Sequence, residues 1–391
     1  MTIAIVGAGP VGLVLALLLH RAGHDAQVLE ADEDISGQLR ASMLHPPTLD
    51  MLARLGLAVP LIEQGLVTRQ WQIRRLEDGA RAVFDLSAIA DDTDHPFRLQ
   101  VEQHKLSRLI LAALPFGTVN FGRRVATVTQ DGDGVTLTGP RMDPLRADWV
   151  VGCDGAHSVV CKAAGQDVRG SARAETTILA STSFAFHKVL PGLSNVNCIW
   201  TEHPAFAGIF LLLRVPGRWR VSLDPVAGES IEDALHPETI ERKLQVIHPK
   251  PDRYNVSDLR PYRLRQRIVD DYRCGRLLLA GDAAHLNAPV GGMGMNSGIH
   301  DAFELAAHLV PVLRDEADAT HLDRYTRRRR TVAEHEIIAH AARARMRAPD
   351  PHRRAARLAA LQATAADPTR AREFLLASSM IAGLRAAAAI A

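Results

Sequence analysis

The chain has 391 residues, more than one ordinary core holds and enough for two domains or one large elaborated one. Charged residues make up 23% and hydrophobic residues 47%, a globular balance, and a formal net charge of +2 gives no global field of the kind that marks a nucleic-acid binder. Four cysteines (Cys153, Cys161, Cys198 and Cys274) form no CxxC pair and show no metal-ligand spacing, which fits a reduced, cytoplasmic protein without disulfides or a bound metal.

The first element is the apolar run from Ile3. It carries no charge through Leu19, but no Lys or Arg precedes it, and Gly7, Gly9, Pro10 and Gly12 interrupt it. A spanning helix needs about 20 continuous apolar residues, so neither an anchor nor a secretory leader is expected. The run reads instead as strand, turn, helix, strand. Ile3 to Val6 is a strand buried on both faces. Gly7-Ala8-Gly9-Pro10-Val11-Gly12 is a GxGxxG: Gly7 for a tight turn, Gly9 for close approach of a pyrophosphate, Gly12 for helix–strand packing. A helix from about Pro10 to Ala22 offers its N-terminus to a phosphate. A second strand, Ala26 to Leu29, delivers Glu30 to accept hydrogen bonds from an unphosphorylated ribose, as in FAD or NAD.

Asp131-Gly132-Asp133-Gly134 reads as a hairpin turn. Ala147 to Gly152 is a further strand that runs into the turn Asp154-Gly155. From Gly165 to Tyr272 the pattern is of strands broken by turns at Pro191-Gly192 and Pro216-Gly217. Arg276 to Ala280 is a strand entering Gly281-Asp282. A glycine loop follows, and a helix is expected from about Asn296 with Ile299, Phe303, Leu305 and Ala306 on its buried side. From Asp323 on the chain looks helical, with Thr369 as a cap after Pro368 and with Arg324, Arg327, Arg328, Arg329 and Arg330 on a solvated face, the alternative being an anion or partner site.

These motifs, in this order, resemble the FAD-dependent aromatic-ring hydroxylases, single-component flavoprotein monooxygenases related to p-hydroxybenzoate hydroxylase. The resemblance implies an α/β fold: a Rossmann-like FAD-binding domain with an inserted β-sheet substrate domain and a helical C-terminus. The expected divisions are 1–165 and 272–322 for the FAD domain, 166–271 for the substrate domain and 323–391 for the helical segment. Residues 68–97 are candidates to join the substrate domain.

The same resemblance implies site residues. Gly7, Gly9, Gly12 and Glu30, with Pro10, Val11 and Ala31 beside them, would hold the ADP half of FAD. Asp154 and Gly155 would lie near the pyrophosphate, a motif also linked to the reduced nicotinamide. Gly281 and Asp282 would meet the ribityl chain. The loop from Pro289 to Asn296, including Gly292, Gly294 and Met295, would lie beside the isoalloxazine ring, with the Pro289 carbonyl facing the substrate. In "GQLRASMLHPPTLDMLARLGL", Arg40 matches an arginine that contacts FAD, and Leu49, Leu52 and Leu55 form a helical stripe. In "RLQVEQHKLSRLILAAL", Gln103 is the first choice for a flavin contact and Gln100 the alternative. Two positions depart from the family pattern. Cys161, followed by Lys162, stands where an arginine is usual, and a lysine is not a bidentate arginine; Met293 makes the glycine loop GGMG instead of GGQG.

On the sheet, His187, Tyr262, Arg214 and Arg220 are candidates for substrate contact; an inward arginine can hold a carboxylate. His45 and His285 lie inside flavin motifs, His285 as a structural residue or a proton relay. The implied activity is hydroxylation of a small phenolic or N-heteroaromatic substrate with O2, through a flavin C4a-hydroperoxide, on tightly bound FAD reduced transiently by NADH or NADPH. No second GxGxxG serves the reductant. No long C-terminal extension is present, which favours a small substrate, and a monomer or homodimer is expected. Alternatives are another FAD oxidoreductase, either a reductase or a halogenase whose WxWxIP signature is absent, a non-catalytic flavin-stabilised protein, and an NAD-only Rossmann domain.

Overall fold

The computed structural model describes residues 1–37, 40–166, 175–204, 206, 208–226, 228–264, 267–286, 291–344 and 351–391. Ile3–Val6 is buried along its whole length, as a central parallel strand must be. It belongs to a six-stranded sheet ordered Arg273–Cys274, Leu277–Leu279, Trp149–Gly152, Ile3–Val6, Ala26–Leu29, Val119–Asn120. All neighbours are parallel except the edge strand Arg273–Cys274. Val6 aligns with Gly152 on one side and Leu29 on the other, and Gly152 aligns with Leu279. Four strands therefore end level, and Gly7, Glu30, Asp154 and Gly281 emerge along one edge. In an open parallel sheet this carboxyl edge is where ligands bind.

Pro10–Arg21 is helical because Pro10 stands at its first position, where a missing N–H costs nothing, and a near-continuous apolar run follows. It ends in a Schellman-type turn: Gly23 has φ +86° and donates to His20 O, while His24 donates to Leu19 O. The helix Met293–Leu313 packs across it. A Cβ at Gly298 would come within 2.6 Å of Val11 Cγ2, so a glycine lets the two helices meet closely.

A second sheet has seven strands, ordered Val256–Leu264, Glu175–Thr182, Arg218–Leu223, Gly208–Val215, Val196–Thr201, Gln70–Arg75, Arg81–Asp85. One face packs Ile178, Phe210, Leu212 and Val221 against Ile240, Leu244 and Ile247 of the helix Pro237–Ile247. The other face is covered at its Gln70–Asp85 end by C-terminal helices, with Leu358, Leu361 and Leu375 against Ile73, Phe84 and Trp200. Trp71, Phe84 and Phe374 stack there, Phe84 and Phe374 with centroids 4.4 Å apart. The remainder of that face turns toward the first sheet. Among the described residues no helix is long and apolar enough to cross a membrane.

Several expectations need correction. The helix after the glycine loop begins at Met293, three residues earlier than expected, because Gly292 at φ +67° turns the chain directly into it. The strand-rich region also holds the helices Ile231–Leu235 and Pro237–Ile247; the Ser230 cap, Pro237 and the i, i+4, i+7 spacing of Ile240, Leu244 and Ile247 account for them. The cap of Pro368–Ser378 is Asp367, not Thr369: proline takes the first helical position, so the preceding carboxylate receives the Arg370 N–H at 3.0 Å. The arginine run is no solvated face. Arg329 is 1% exposed and paired with Asp301, and Arg328 donates to Ala388 O, Ile390 O and Glu304.

Candidate active site

The glycine turn is shaped by close approaches. A Cβ at Gly7, which has φ +102°, would lie 2.5 Å from Cys153 O, and one at Gly12 would collide with Gly7 O. Gly9 is different: a Cβ there meets no protein atom within 4 Å, and the backbone is in an ordinary extended conformation at φ −68°. The space above Gly9 is therefore left by the fold rather than filled. Glu30 is fixed beside it, accepting from Ala8 N at 2.7 Å on Oε2 and from Asp32 N at 2.9 Å on Oε1. Each oxygen keeps a lone pair for a sugar hydroxyl. Ala31 lies half-buried next to Glu30. The Val11 side chain packs against Gly281 and Gly298, so this residue can offer a ligand only its backbone.

The segment 40–43 is tied down from three sides. Val101 N donates to Ser42 O and Gln103 N to Ala41 O, at 2.9 and 3.0 Å. Arg220, from the second sheet, donates to Arg40 O and Ser42 Oγ, both at 2.8 Å. Asn296 donates to Met43 O and Gly292 O and accepts from His45 N. His45 Nε2 also lies 2.8 Å from Gly291 O. Both amide protons of Asn296 are thus engaged within the protein, and its side chain holds the glycine loop in place. Gln103 is half-buried at the head of its helix, whereas Gln100 is fully buried, opposite Met43, with neither amide atom partnered among the described residues. Gly294 borders open space, Met295 is packed against the core and Met293 is buried. Pro289 lies outside the described residues.

Asp154 accepts from Val159 N at 2.7 Å through Oδ2, while Oδ1 is buried without a partner among the described residues. Burial pushes its carboxyl above the ordinary value despite the Ser158 and Val159 bonds. Asp282 is solvent-accessible yet deep-set: desolvation raises its carboxyl, and the nearby His285 and Arg40 pull it back. A carboxylate reached by solvent but largely surrounded by protein lines a cleft. The cleft here, about 90 Å³, runs between Gly155, Lys162, Arg267 and Asp282. Empty space over Gly9, a fixed Glu30, an orphaned buried oxygen on Asp154 and a cleft-lining Asp282 fit an extended dinucleotide such as FAD.

Beneath this edge lies an ion group that the sequence reading missed. Asp301, fully buried, accepts from Gly281 N at 2.9 Å and contacts His285 Nε2 at 2.6 Å through Oδ2, and pairs with Arg329 Nε at 2.6 Å through Oδ1. Arg329 also donates to Ser297 O and Oγ. Burial alone would raise the Asp301 carboxyl, but the charges of His285 and Arg329 win and hold it below the ordinary range. Next to it, His300 contacts Thr48 Oγ1 at 2.8 Å, and burial lowers its pKa to about 3, so it is neutral. A signal existed for both partners: Asp301 is a charge within an apolar helix face, and Arg329 lies one helical turn after buried Tyr325 and one before buried Ala333.

The four sheet candidates divide by face. Leu213 pairs with Arg220, Arg220 with Ser181 and Ser181 with Asp258, while Tyr262 pairs with Thr177 four residues along the same two strands. Arg220 and Tyr262 therefore share the face toward the first sheet, and their side chains are hydrogen-bonded. Half-buried Leu179, Leu211 and Leu213 stand on this face too. Arg214 pairs with Trp219 and so lies on the opposite face, where His187 stacks on Trp219 at 6.0 Å.

A family model described as FAD binding domain matches residues 1–339. Over 338 residues the chain is 34% identical to para-nitrophenol 4-monooxygenase of Pseudomonas sp. (strain WBC-3), covering 84% of this chain and 83% of that protein. It is 32% identical to 6-hydroxy-3-succinoylpyridine 3-monooxygenase HspB of Pseudomonas putida (strain DSM 28022 / S16), covering 84% of each. The crystal structure of p-nitrophenol 4-monooxygenase PnpA from Pseudomonas putida DLL-E4 superposes with a TM-score of 0.87 at 33% identity over 98% of both chains.

Proposed function

The chain belongs to the FAD-dependent aromatic-ring hydroxylases and is an FAD-dependent aromatic monooxygenase; from this we propose that it hydroxylates a single six-membered ring bearing a hydroxyl, at the carbon opposite that hydroxyl, with NADH or NADPH as reductant and O2 as oxidant. The names of the two relatives support the position. Each describes a hydroxylated ring with a substituent on the opposite carbon, and each numbers the oxygen insertion at that carbon. A phenolate oxygen donates electron density to the ring carbons ortho and para to it, which makes the opposite carbon electron-rich.

FAD, when bound, would supply the redox chemistry of reductant oxidation and oxygen activation. The remaining work belongs to the protein. Glu30 holds the ribose of the ADP half, and Gly9 leaves room for the diphosphate. Asp154 and Asp282 accept from hydroxyls along the cleft, and Arg40 and Gln103 border the flavin end. Leu179, Leu211 and Leu213 present an apolar surface to a flat ring and exclude water from it. Arg220 is engaged with Arg40 O and Ser42 Oγ, so its first task is to fix the sheet over segment 40–43; its remaining donors point the site toward an oxyanion. Pro289 faces the substrate in this reading. Among the described residues the four cysteines form no disulfide, which suits the reduced cytoplasm, and a monomer or homodimer without nucleic acid is the form proposed.

The observation that carries the reading is the level ending of Val6, Leu29, Gly152 and Leu279, which sets the glycine turn, Glu30, Asp154 and Asp282 along one edge. The test is anaerobic flavin reduction by NADH and by NADPH in a stopped-flow, with para-substituted phenols and hydroxypyridines. Acceleration by one of these compounds, followed by ring hydroxylation on admitting O2, is the expected result. Reduction at one rate with or without every compound overturns substrate-gated hydroxylation.

A further inference from the structure

The glycine loop rests on a methionine. Met43 opens the short strand Met43–Leu44 and is 5% exposed. A Cβ on Gly292 would fall 2.4 Å from Met43 Cε, so the methyl group lies directly against the loop. Asn296 ties the two main chains together through Met43 O and Gly292 O. Across the strand pair from Met43 stands Gln100. Directly opposed residues of an antiparallel pair put their side chains on one face, with Cβ atoms about 4.5–5.5 Å apart. Gln100 is fully buried, and neither its amide nitrogen nor its amide oxygen has a partner among the described residues. Its other cross-strand neighbour, Leu66, has no polar group to offer. An amide cut off from water without a partner is costly, and the side chain across from it ends in a thioether.

We propose that Met43 is a modification site: hydrogen peroxide formed at the flavin converts its thioether to a sulfoxide, and the Gln100 amide donates a hydrogen bond to the new oxygen. The inference rests on the reading of the chain as a flavin monooxygenase whose glycine loop lies beside the flavin ring. Reduced flavin and O2 give hydrogen peroxide when no aromatic ring accepts the oxygen, so the oxidant arises next to Met43. In the step, the sulfur lone pair attacks one peroxide oxygen. The O–O bond breaks, an S–O bond forms, and the second oxygen leaves as water. Sulfur is oxidised and peroxide reduced by the same electron pair. A thioether is a weak acceptor and makes little use of an amide N–H, whereas a sulfoxide is polar and accepts strongly. Gln100 thus gives the oxidised side chain a partner that the reduced one does not use. The Met43 methyl already fills the space over Gly292, so a polar side chain there displaces the loop. Oxidation then turns down aromatic-stimulated reduction in an enzyme that is wasting its reductant, and reduction of the sulfoxide restores it.

The experiment takes the full, flavin-loaded chain through aerobic turnover with NADH or NADPH and no aromatic compound, and in parallel exposes it to added hydrogen peroxide. Peptide mass spectrometry reads sulfoxide at each methionine, with Met1, 63% exposed, as the internal reference for oxidation by exposure alone. Met43 should oxidise during turnover at least about fivefold faster than Met1, despite its burial. Aromatic-stimulated flavin reduction then falls in step with Met43 sulfoxide, and methionine sulfoxide reductase returns it. Met43→Leu keeps its stimulated rate through the same treatment. Gln100→Leu tests the partner: sulfoxide at Met43 should lower its urea midpoint and release FAD, whereas wild type oxidised to the same extent keeps both. Turnover that leaves Met43 a thioether overturns the proposal, as does an oxidised Gln100→Leu protein that matches oxidised wild type. Should the wild type show no aromatic-stimulated reduction, the reading of its function fails, while the added peroxide, read by sulfoxide content and urea midpoint, still judges Met43 and Gln100.

Discussion

Asp301 Oδ2 lies 2.6 Å from His285 Nε2, although the two residues are on different elements and both are buried. The same oxygen takes the Gly281 N–H, and the other oxygen takes Arg329. One carboxylate thus fixes the turn that carries Asp282, the loop that follows it and the helix Asp323–Ala344. His285 and Arg329 together balance its charge. Replacing Arg329 with Met breaks one of the two buried pairs, a change that typically costs about 3–5 kcal/mol. Urea melts of Arg329→Met and Asp301→Asn should both fall, and FAD should dissociate more readily from each. An Arg329→Met protein as stable as wild type would show that the pair is dispensable.

The neighbouring His300 gives a pH prediction. Its folded pKa, about 3, lies below the ordinary 6.5, because burial disfavours the charged form. The unfolded chain therefore binds the proton first, and stability falls as the pH drops from about 6.5 toward 3. A shift of this size is worth at most about 5 kcal/mol. Asp301 adds a separate acid limb at lower pH, since its carboxyl is held below 3.8 and its contribution is lost only as it protonates. In His300→Gln, the loss of stability between pH 6.5 and 4.5 should be smaller than in wild type, as read by urea midpoints. Parallel curves for the two proteins would remove His300 as the source.

Gly9 and Gly12 separate ligand space from folding space. At Gly12 an added methyl meets Gly7 O, Ile5 and Cys153, so Gly12→Ala should destabilise the protein with or without flavin. At Gly9 the methyl meets no protein atom and the backbone tolerates alanine. Gly9→Ala should leave the melting of flavin-free protein unchanged while weakening FAD about tenfold or more, about 1.4 kcal/mol. Fluorescence titration of the apoprotein with FAD checks this. Unaltered affinity in Gly9→Ala would mean that the diphosphate does not pass over this residue.

The strand–turn–helix at residues 3–30 was legible because its signals are local: Pro10 at the helix start, Gly23 after its end, and an apolar strand before the turn. The Asp154 and Asp282 turns were legible for the same reason. The 28-residue link from Asp301 to Arg329 was not, because a run of five nearby arginines looks solvated until helical phase is compared with the buried Tyr325 and Ala333. The choice between Gln100 and Gln103 was equally hidden. One is in a strand and the other begins a helix, and only tertiary pairing shows that Gln100 lies against Met43. The faces of the second sheet were out of reach too. Alternation assigns residues to two faces but not which face another element covers.

That last distinction makes the final prediction. Arg220 and Arg214 are six residues apart on adjacent strands, and both looked like anion ligands. Arg220 faces the first sheet, is 4% exposed and holds Arg40 O and Ser42 Oγ. Arg214 and His187 lie across the sheet, on the side of Trp219. Arg220→Met should therefore free segment 40–43, with loss of aromatic-stimulated flavin reduction by about tenfold or more. Each lost hydrogen bond to the guanidinium is worth about 1.5–3 kcal/mol. Arg214→Met and His187→Phe should leave the stimulated rate within about twofold, since neither reaches the flavin side and surface changes of this kind cost within about 0.5 kcal/mol. Stopped-flow reduction with the stimulating phenol compares all three. A large loss in Arg214→Met with none in Arg220→Met would mean that the substrate binds on the other face of the sheet.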